Sequence, residues 1–300
     1  MNIPKRTPPF FGAATALCTP FDETGAVDYT ALSKIIEYQI AGGIDALVLC
    51  GTTGEAATLT EEEYCAVILR GLEMIGGRVK TIVGCSSPST ATAVKRAIFA
   101  QKCGADAVLL ATPYYNKGTR DGIRAHFHTV AESSGAPVIL YNVPTRTGVH
   151  LSFDEFVAIA AHPLIVGVKE ASGDITLFAR LCASLGDTLS LYSGNDALTL
   201  PALSLGGAGV ISVISNLYPR KLHDICRLYR EGKTVDACRL HLSLVPLMDL
   251  LFRETSPAPI KHTLAKEGLC KEVLRLPLTR ASEGLSRLLD GELARLSEQK

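Results

Sequence analysis

The apolar run Leu164-Ile165-Val166-Gly167-Val168 ends in Lys169 and Glu170. Lysine rarely sits in a core unless it is paired or has a task. Two readings follow: a surface lysine paired with Glu170 at a strand tip, or an amine held in a pocket. In the second reading, desolvation disfavours the ammonium form. A neutral amine attacks carbonyl carbon and yields a Schiff base. Once protonated, that imine is an electron sink that acidifies the neighbouring carbon. The chemistry is that of a class I aldolase and needs no metal.

Eight β-rich apolar runs supply elements to position such a lysine. They begin near Phe10, Asp45, Lys80, Asp106, Pro137, Leu164, Leu189 and Ala208. Most are continuous rather than alternating, as expected of parallel strands covered on both faces. Helical patterns fill most of the gaps. Leu32, Ile35, Ile36 and Ile40 keep i, i+3, i+4, i+8 spacing, with Gly42-Gly43 as the stop. Thr60 with Glu63, and Ser152 with Glu155, have the capping-box pattern. This alternation predicts an α/β fold, a (β/α)8 TIM barrel over residues 1–230, followed by a C-terminal helical domain over 231–300. A doubly wound open sheet is the alternative, but "GAATALCTP" is not a dinucleotide-binding fingerprint.

In such barrels the reactive groups lie at the C-terminal ends of the strands. Lys169 closes strand six and meets that rule. So do Thr52-Thr53 on strand two, Tyr114-Tyr115 on strand four, Tyr141 on strand five, Arg146 on the following loop, and Ser193-Gly194-Asn195 after strand seven. Each has a plainer explanation. Strand tyrosines usually pack, "CGTTGE" has the glycines of a simple turn, and surface arginines are common. As a site, the threonines offer hydroxyls and amides to a carboxylate, and Arg146 offers a bidentate fork. Lys80 opens its strand and belongs to the opposite rim. His126 and His128 sit at i, i+2 on a helix, where side chains point apart. "GGAG" at 206–209 precedes strand eight and lies at the wrong end for a phosphate cradle.

Thirty basic and thirty acidic residues balance. No net field favours nucleic acid or an anionic membrane, so a small-molecule partner is expected. The nine cysteines form no Cys-x-x-Cys pair and read as buried reduced thiols in a reducing compartment. The N-terminal residues have no apolar core of a leader peptide, and no run of about eighteen apolar residues occurs, so a cytoplasmic protein is expected.

Several motifs then occur in order: "GTTGEAATLT" (51–60), "TPYYNK" (112–117), "YNVPTRTG" (141–148), "GVKEASG" (167–173), "SGNDALTLP" (193–201) and "GGAGVISV" (206–213). With the tail segment "FRETSPAPIKHTLAKEGL", they resemble the dihydrodipicolinate synthase and N-acetylneuraminate lyase superfamily along almost the whole chain. The resemblance implies that Lys169 forms an imine with pyruvate and that Tyr141 is the acid–base group above it, with no cofactor or metal. Thr52, Tyr141 and Tyr115 would relay protons, Tyr115 reaching into a neighbouring subunit's site in a homotetramer built from dimers. Thr53 would hold the pyruvate carboxylate and Ile211 line the pocket. Arg146 would take the carboxylate of the second substrate, an aldehyde, and Gly194 would contact it through its backbone.

"GTTGE", the arginine of "RTG" and "SPAPIK" resemble the dihydrodipicolinate synthase branch, which condenses pyruvate with L-aspartate 4-semialdehyde and opens lysine and diaminopimelate biosynthesis. Two alternatives stand beside it. One is a pyruvate-dependent aldolase or dehydratase acting on a sugar-derived 2-keto acid; the other is a catalytically silent paralogue that binds a keto acid. Lysine-inhibited members carry a His, Asn and Glu cluster where this chain has Glu61, Tyr64, Pro88 and Thr92. Weak or absent lysine feedback is therefore expected.

Overall fold

The computed structural model describes residues 6–298. Eight short strands pair in parallel and in chain order, and the order closes on itself as a barrel. They are β1 (Gly12–Ala16), β2 (Ala46–Leu49), β3 (Lys80–Gly84), β4 (Ala107–Ala111), β5 (Val138–Asn142), β6 (Ile165–Glu170), β7 (Ser190–Ser193) and β8 (Gly209–Ser212). Every strand residue is buried except Lys80, which is the signature of strands covered on both faces.

The strands are shorter than the apolar runs that announced them. Thr52-Thr53 and Tyr114-Tyr115 therefore lie on the loops beyond β2 and β4 rather than on the strands. β2 stops where Cys50 turns left-handed, at φ 51°.

The intervening helices are α1 (Tyr29–Ala41), α2 (Glu61–Ile75), α3 (Thr90–Lys102), α4 (Arg120–Ser134), α5 (Pro144–Thr147), α6 (Phe153–Ala160), α7 (Ile175–Leu185) and α8 (Thr199–Ser204). After β8 come α9 (Pro219–Arg230), α10 (Thr234–Leu250), α11 (Ala258–Lys266) and α12 (Glu283–Ser297). Both capping boxes form. Thr60 and Ser152 each accept from the N3 amide, and Glu63 and Glu155 accept from the cap amides in return. α1 differs in one position: Gln39 is buried beside Leu32, Ile35 and Ile36, while Ile40 is half-buried. Gln39 takes that seat because Thr15 donates to its Oε1 at 2.6 Å and its Nε2 donates to the Ser215 and Asn216 carbonyls.

The chain divides into two compact units. One comprises residues up to Gly12 with Lys80–Ile211. Within it the backbone of Gly12 comes so near Gly209 that a Cβ on Gly209 would lie 1.8 Å from the Gly12 carbonyl oxygen. That approach explains a glycine of the "GGAG" motif without any phosphate. Phe10 stacks on Tyr192 with ring centroids 4.3 Å apart, and the Tyr192 hydroxyl donates to the Phe10 carbonyl at 2.7 Å. The second unit comprises Ala13–Val79 with the residues from Ser212 onward, and so contains β1 from Ala13 on, β2, α1, α2 and the four C-terminal helices.

All nine cysteines are free thiols. Cys18, Cys50, Cys85 and Cys226 are buried, but Cys65, Cys103, Cys182, Cys238 and Cys270 are partly exposed, so the expectation of uniform burial is corrected. Among the described residues no helix is long and apolar enough to cross a membrane.

Candidate active site

β6 carries Lys169 as its fifth residue, in register with Tyr141 of β5 on one side and Tyr192 of β7 on the other. Its side chain is buried, with only 5% of the residue exposed, which removes the reading of Lys169 as a surface residue. Lys169 Nζ stands 4.4 Å from the centroid of the Tyr141 ring. Register alone accounts for this meeting, since paired residues on adjacent parallel strands face the same way.

Glu170 does not pair with Lys169. Successive strand residues point to opposite faces, and the Glu170 carboxylate accepts from Asn142 Nδ2 at 2.7 Å and from the Ser172 amide at 2.5 Å. Asn142 and Glu170 are again register partners. Both are buried, at 1% and 4% exposure. Burial pushes the Glu170 carboxyl above its ordinary range, against the two hydrogen bonds that hold it down. The Glu170 carbonyl accepts from the Gly194 amide at 2.7 Å, and the Asn142 carbonyl accepts from the Ala171 amide at 2.9 Å. The ends of β5 and β6 and the loop after β7 are thus tied together directly behind the lysine.

Gly194 has a steric reason to be glycine. A Cβ there would lie 2.5 Å from Ala171 Cβ and 3.0 Å from Lys169 Cε. Asn195 caps the short 3-10 turn that follows, accepting from the Ala197 amide at 3.0 Å. Asparagine performs this cap as well as aspartate does, so the "SGND" variation is conservative.

Arg146 lies on α5, a single helical turn opened by Pro144, rather than on an irregular loop, and it is exposed. Ile211 is fully buried on β8. Tyr115 is 93% exposed and holds a left-handed backbone at φ 69°, which is uncommon for a bulky residue.

Thr52 and Thr53 belong to the other unit. Thr52 is exposed and Thr53 buried. Their turn is closed by the Glu55 amide donating to the Thr52 carbonyl at 3.1 Å and the Gly54 amide to that of Gly51, also at 3.1 Å.

The residues set aside earlier stand elsewhere. Lys80 is exposed and pairs with Asp106 at 2.7 Å. His126 is buried against Thr90, whose hydroxyl oxygen lies 2.9 Å from Nδ1, while His128 Nε2 lies 3.1 Å from the Ile159 carbonyl. From sequence, Glu170 is expected only as a partner for Lys169, and its bond to Asn142 escapes that reading. Strand alternation from Lys169 and Tyr141 was the signal that would have paired them.

A (β/α)8 barrel with a buried lysine near the end of β6, set over a tyrosine ring from β5, has the architecture of a Schiff-base-forming lyase. Comparison with known proteins specifies it further. The model of the dihydrodipicolinate synthetase family matches residues 9–293, and the chain belongs to that family. It is 46% identical over 288 residues to the 4-hydroxy-tetrahydrodipicolinate synthase of Magnetococcus marinus, covering 96% of this chain and 98% of that protein.

Among solved structures, the 4-hydroxy-tetrahydrodipicolinate synthase of Methylacidiphilum fumariolicum SolV superposes with a TM-score of 0.93 at 42% identity, covering 96% of both chains. A chloride-inhibited dihydrodipicolinate synthase from Acinetobacter baumannii, complexed with pyruvate, gives 0.94 at 38% identity, with 96% of this chain and 99% of that one covered.

Proposed function

We propose that the protein condenses pyruvate, held as an imine on Lys169, with L-aspartate 4-semialdehyde to give 4-hydroxy-tetrahydrodipicolinate. The observation that carries this reading is the buried Lys169 amine 4.4 Å above the Tyr141 ring. Its nitrogen attacks the ketone carbon of pyruvate, and water leaves as the imine forms. Loss of a methyl proton gives an enamine, whose carbon attacks the aldehyde; the new alkoxide takes a proton. The amino group of the second substrate then attacks the imine carbon, closes a six-membered ring and releases the Lys169 amine. No cofactor takes part in this sequence.

Tyr141 is the acid–base group, and Thr52 and Tyr115 complete its proton relay. Thr53 holds the pyruvate carboxylate and Ile211 walls the pocket. The parallel, closed strand order supports this grouping, because the active-site rim of such barrels is built from the loops after the strands. Arg146 receives the carboxylate of the second substrate; its exposure suits an arriving anion. Gly194 has given its amide to Glu170, so its carbonyl is the backbone group that contacts substrate.

We read residues 1–230 as the catalytic barrel and 231–300 as the helical domain. The working assembly is a cytoplasmic homotetramer built from dimers, with the exposed, left-handed Tyr115 reaching a partner's site. Lysine feedback is weak: the Tyr64 ring is fully buried and Pro88 has no side-chain polar group. Millimolar lysine should leave turnover nearly unchanged.

The deciding experiment supplies pyruvate and L-aspartate 4-semialdehyde and couples the product to dihydrodipicolinate reductase. Turnover that disappears in Lys169→Ala supports the proposal. A pyruvate adduct trapped on Lys169 by borohydride, without turnover, keeps the imine and redirects the substrate search to sugar-derived 2-keto acids. Full activity in Lys169→Ala ends the imine mechanism.

A further inference from the structure

Two motif residues have no role in the proposed chemistry: Glu55 of "GTTGE" and Lys261 of "SPAPIK". Both side chains are completely buried, and they meet with Lys261 Nζ 2.5 Å from Glu55 Oε1. Buried charges are costly unless paired and hydrogen-bonded, and in some proteins such pairs serve geometry more than stability. Glu55 Oε1 meets Lys261 as an ion pair without a hydrogen bond of its own, and other groups brace the pair. Lys261 donates to the Val273 carbonyl at 2.9 Å and lies 4.1 Å over the Phe21 ring. The Arg275 amide donates to Glu55 Oε2 at 3.1 Å. The Arg275 guanidinium grips both Glu63 oxygens, donates to the Thr58 and Gly25 carbonyls, and also lies over the Phe21 ring at 4.4 Å.

All of these groups lie in the unit that contains the Thr52-Thr53 turn. Glu55 is bonded to that turn directly: its amide donates to the Thr52 carbonyl, and its own carbonyl accepts from the Thr58 amide and hydroxyl. Thr19 Oγ1 donates to the Gly54 carbonyl at 2.7 Å. The turn is bounded by two left-handed residues that are not glycine, Cys50 at φ 51° and Glu55 at φ 52°. Such conformations persist only where the surroundings over-determine them.

We infer that Glu55 and Lys261 are positioning residues: the buried ion pair clamps the Thr52-Thr53 turn to the C-terminal segment and so sets the affinity for the pyruvate carboxylate. The inference rests on the role given to Thr53 above. It also gives the C-terminal segment a part in substrate binding.

The test measures the half-saturating pyruvate concentration for borohydride trapping on Lys169, alongside the thermal midpoint, in wild type, Glu55→Gln, Lys261→Met and the double variant Glu55→Met with Lys261→Met. Removing both charges relieves the burial cost, so the double variant regains much of the stability that either single variant loses. The expected result is a rise in half-saturation of about ten-fold or more that persists in the stable double variant, with trapping still complete at saturating pyruvate.

Recovery of wild-type half-saturation together with stability would show a purely structural pair and overturn the inference. Absence of a pyruvate adduct on wild type would overturn the proposed function and this inference with it. A wild-type adduct with unshifted half-saturation in the variants would overturn the inference alone.

Discussion

Lys169 and Glu170 are neighbours in the chain and do opposite work. The lysine faces Tyr141, while the glutamate turns away to bind Asn142 and the Ser172 amide. A different buried group sets a response to pH. The His126 ring is buried, and burial lowers its pKa from 6.5 to about 4. The neutral ring is therefore favoured in the folded chain, whereas the unfolded chain binds a proton below pH 6.5. The stability that His126 contributes is fully present above pH 6.5 and is lost as pH falls towards 4. The loss amounts to at most about 3 kcal/mol. Unfolding midpoints measured from pH 7 to pH 4.5 should decline less steeply in His126→Gln than in wild type. An equal decline would show that other groups carry the acid sensitivity.

At the scale of elements, the glycines divide by physical cause. Gly135 caps α4 in a left-handed conformation at φ 66° and has open space around it. Its replacement by alanine adds only backbone strain, about 1 kcal/mol. Gly209 opens β8 against the backbone of Gly12, and a Cβ there would meet the Gly12 oxygen at 1.8 Å. Backbone atoms cannot swing aside as a side chain can, so Gly209→Ala should cost more than the roughly 3 kcal/mol of ordinary overpacking. Soluble yield and thermal midpoint of the two alanine variants provide the check. Similar values for both would place the close approach of Gly12 and Gly209 in doubt.

For the whole molecule, the question is why Tyr115 stands almost entirely exposed on a left-handed backbone. The proposed sharing of the site between protomers would give that geometry a use. Tyr115→Phe should keep the assembly and lower kcat, and a variant held monomeric should lose activity as well. An active monomer, seen by sedimentation and assay on the same sample, would remove Tyr115 from the relay.

The sequence by itself determined the number and order of the strands, both capping boxes and the lysine near the end of β6, since periodicity and caps are local properties that a short window contains. Only the tertiary structure decided the rest. The strands are shorter than their sequence runs: β2 ends where Cys50 turns left-handed, and β4 ends at Ala111, before Thr112-Pro113. Gln39 replaced Ile40 in the core through partners on Thr15, Ser215 and Asn216. The partners of Glu170 depended on register between strands, and Glu55 found Lys261 across most of the chain. Desolvation makes those buried polar groups depend on particular partners, and folding is what brings the partners to them.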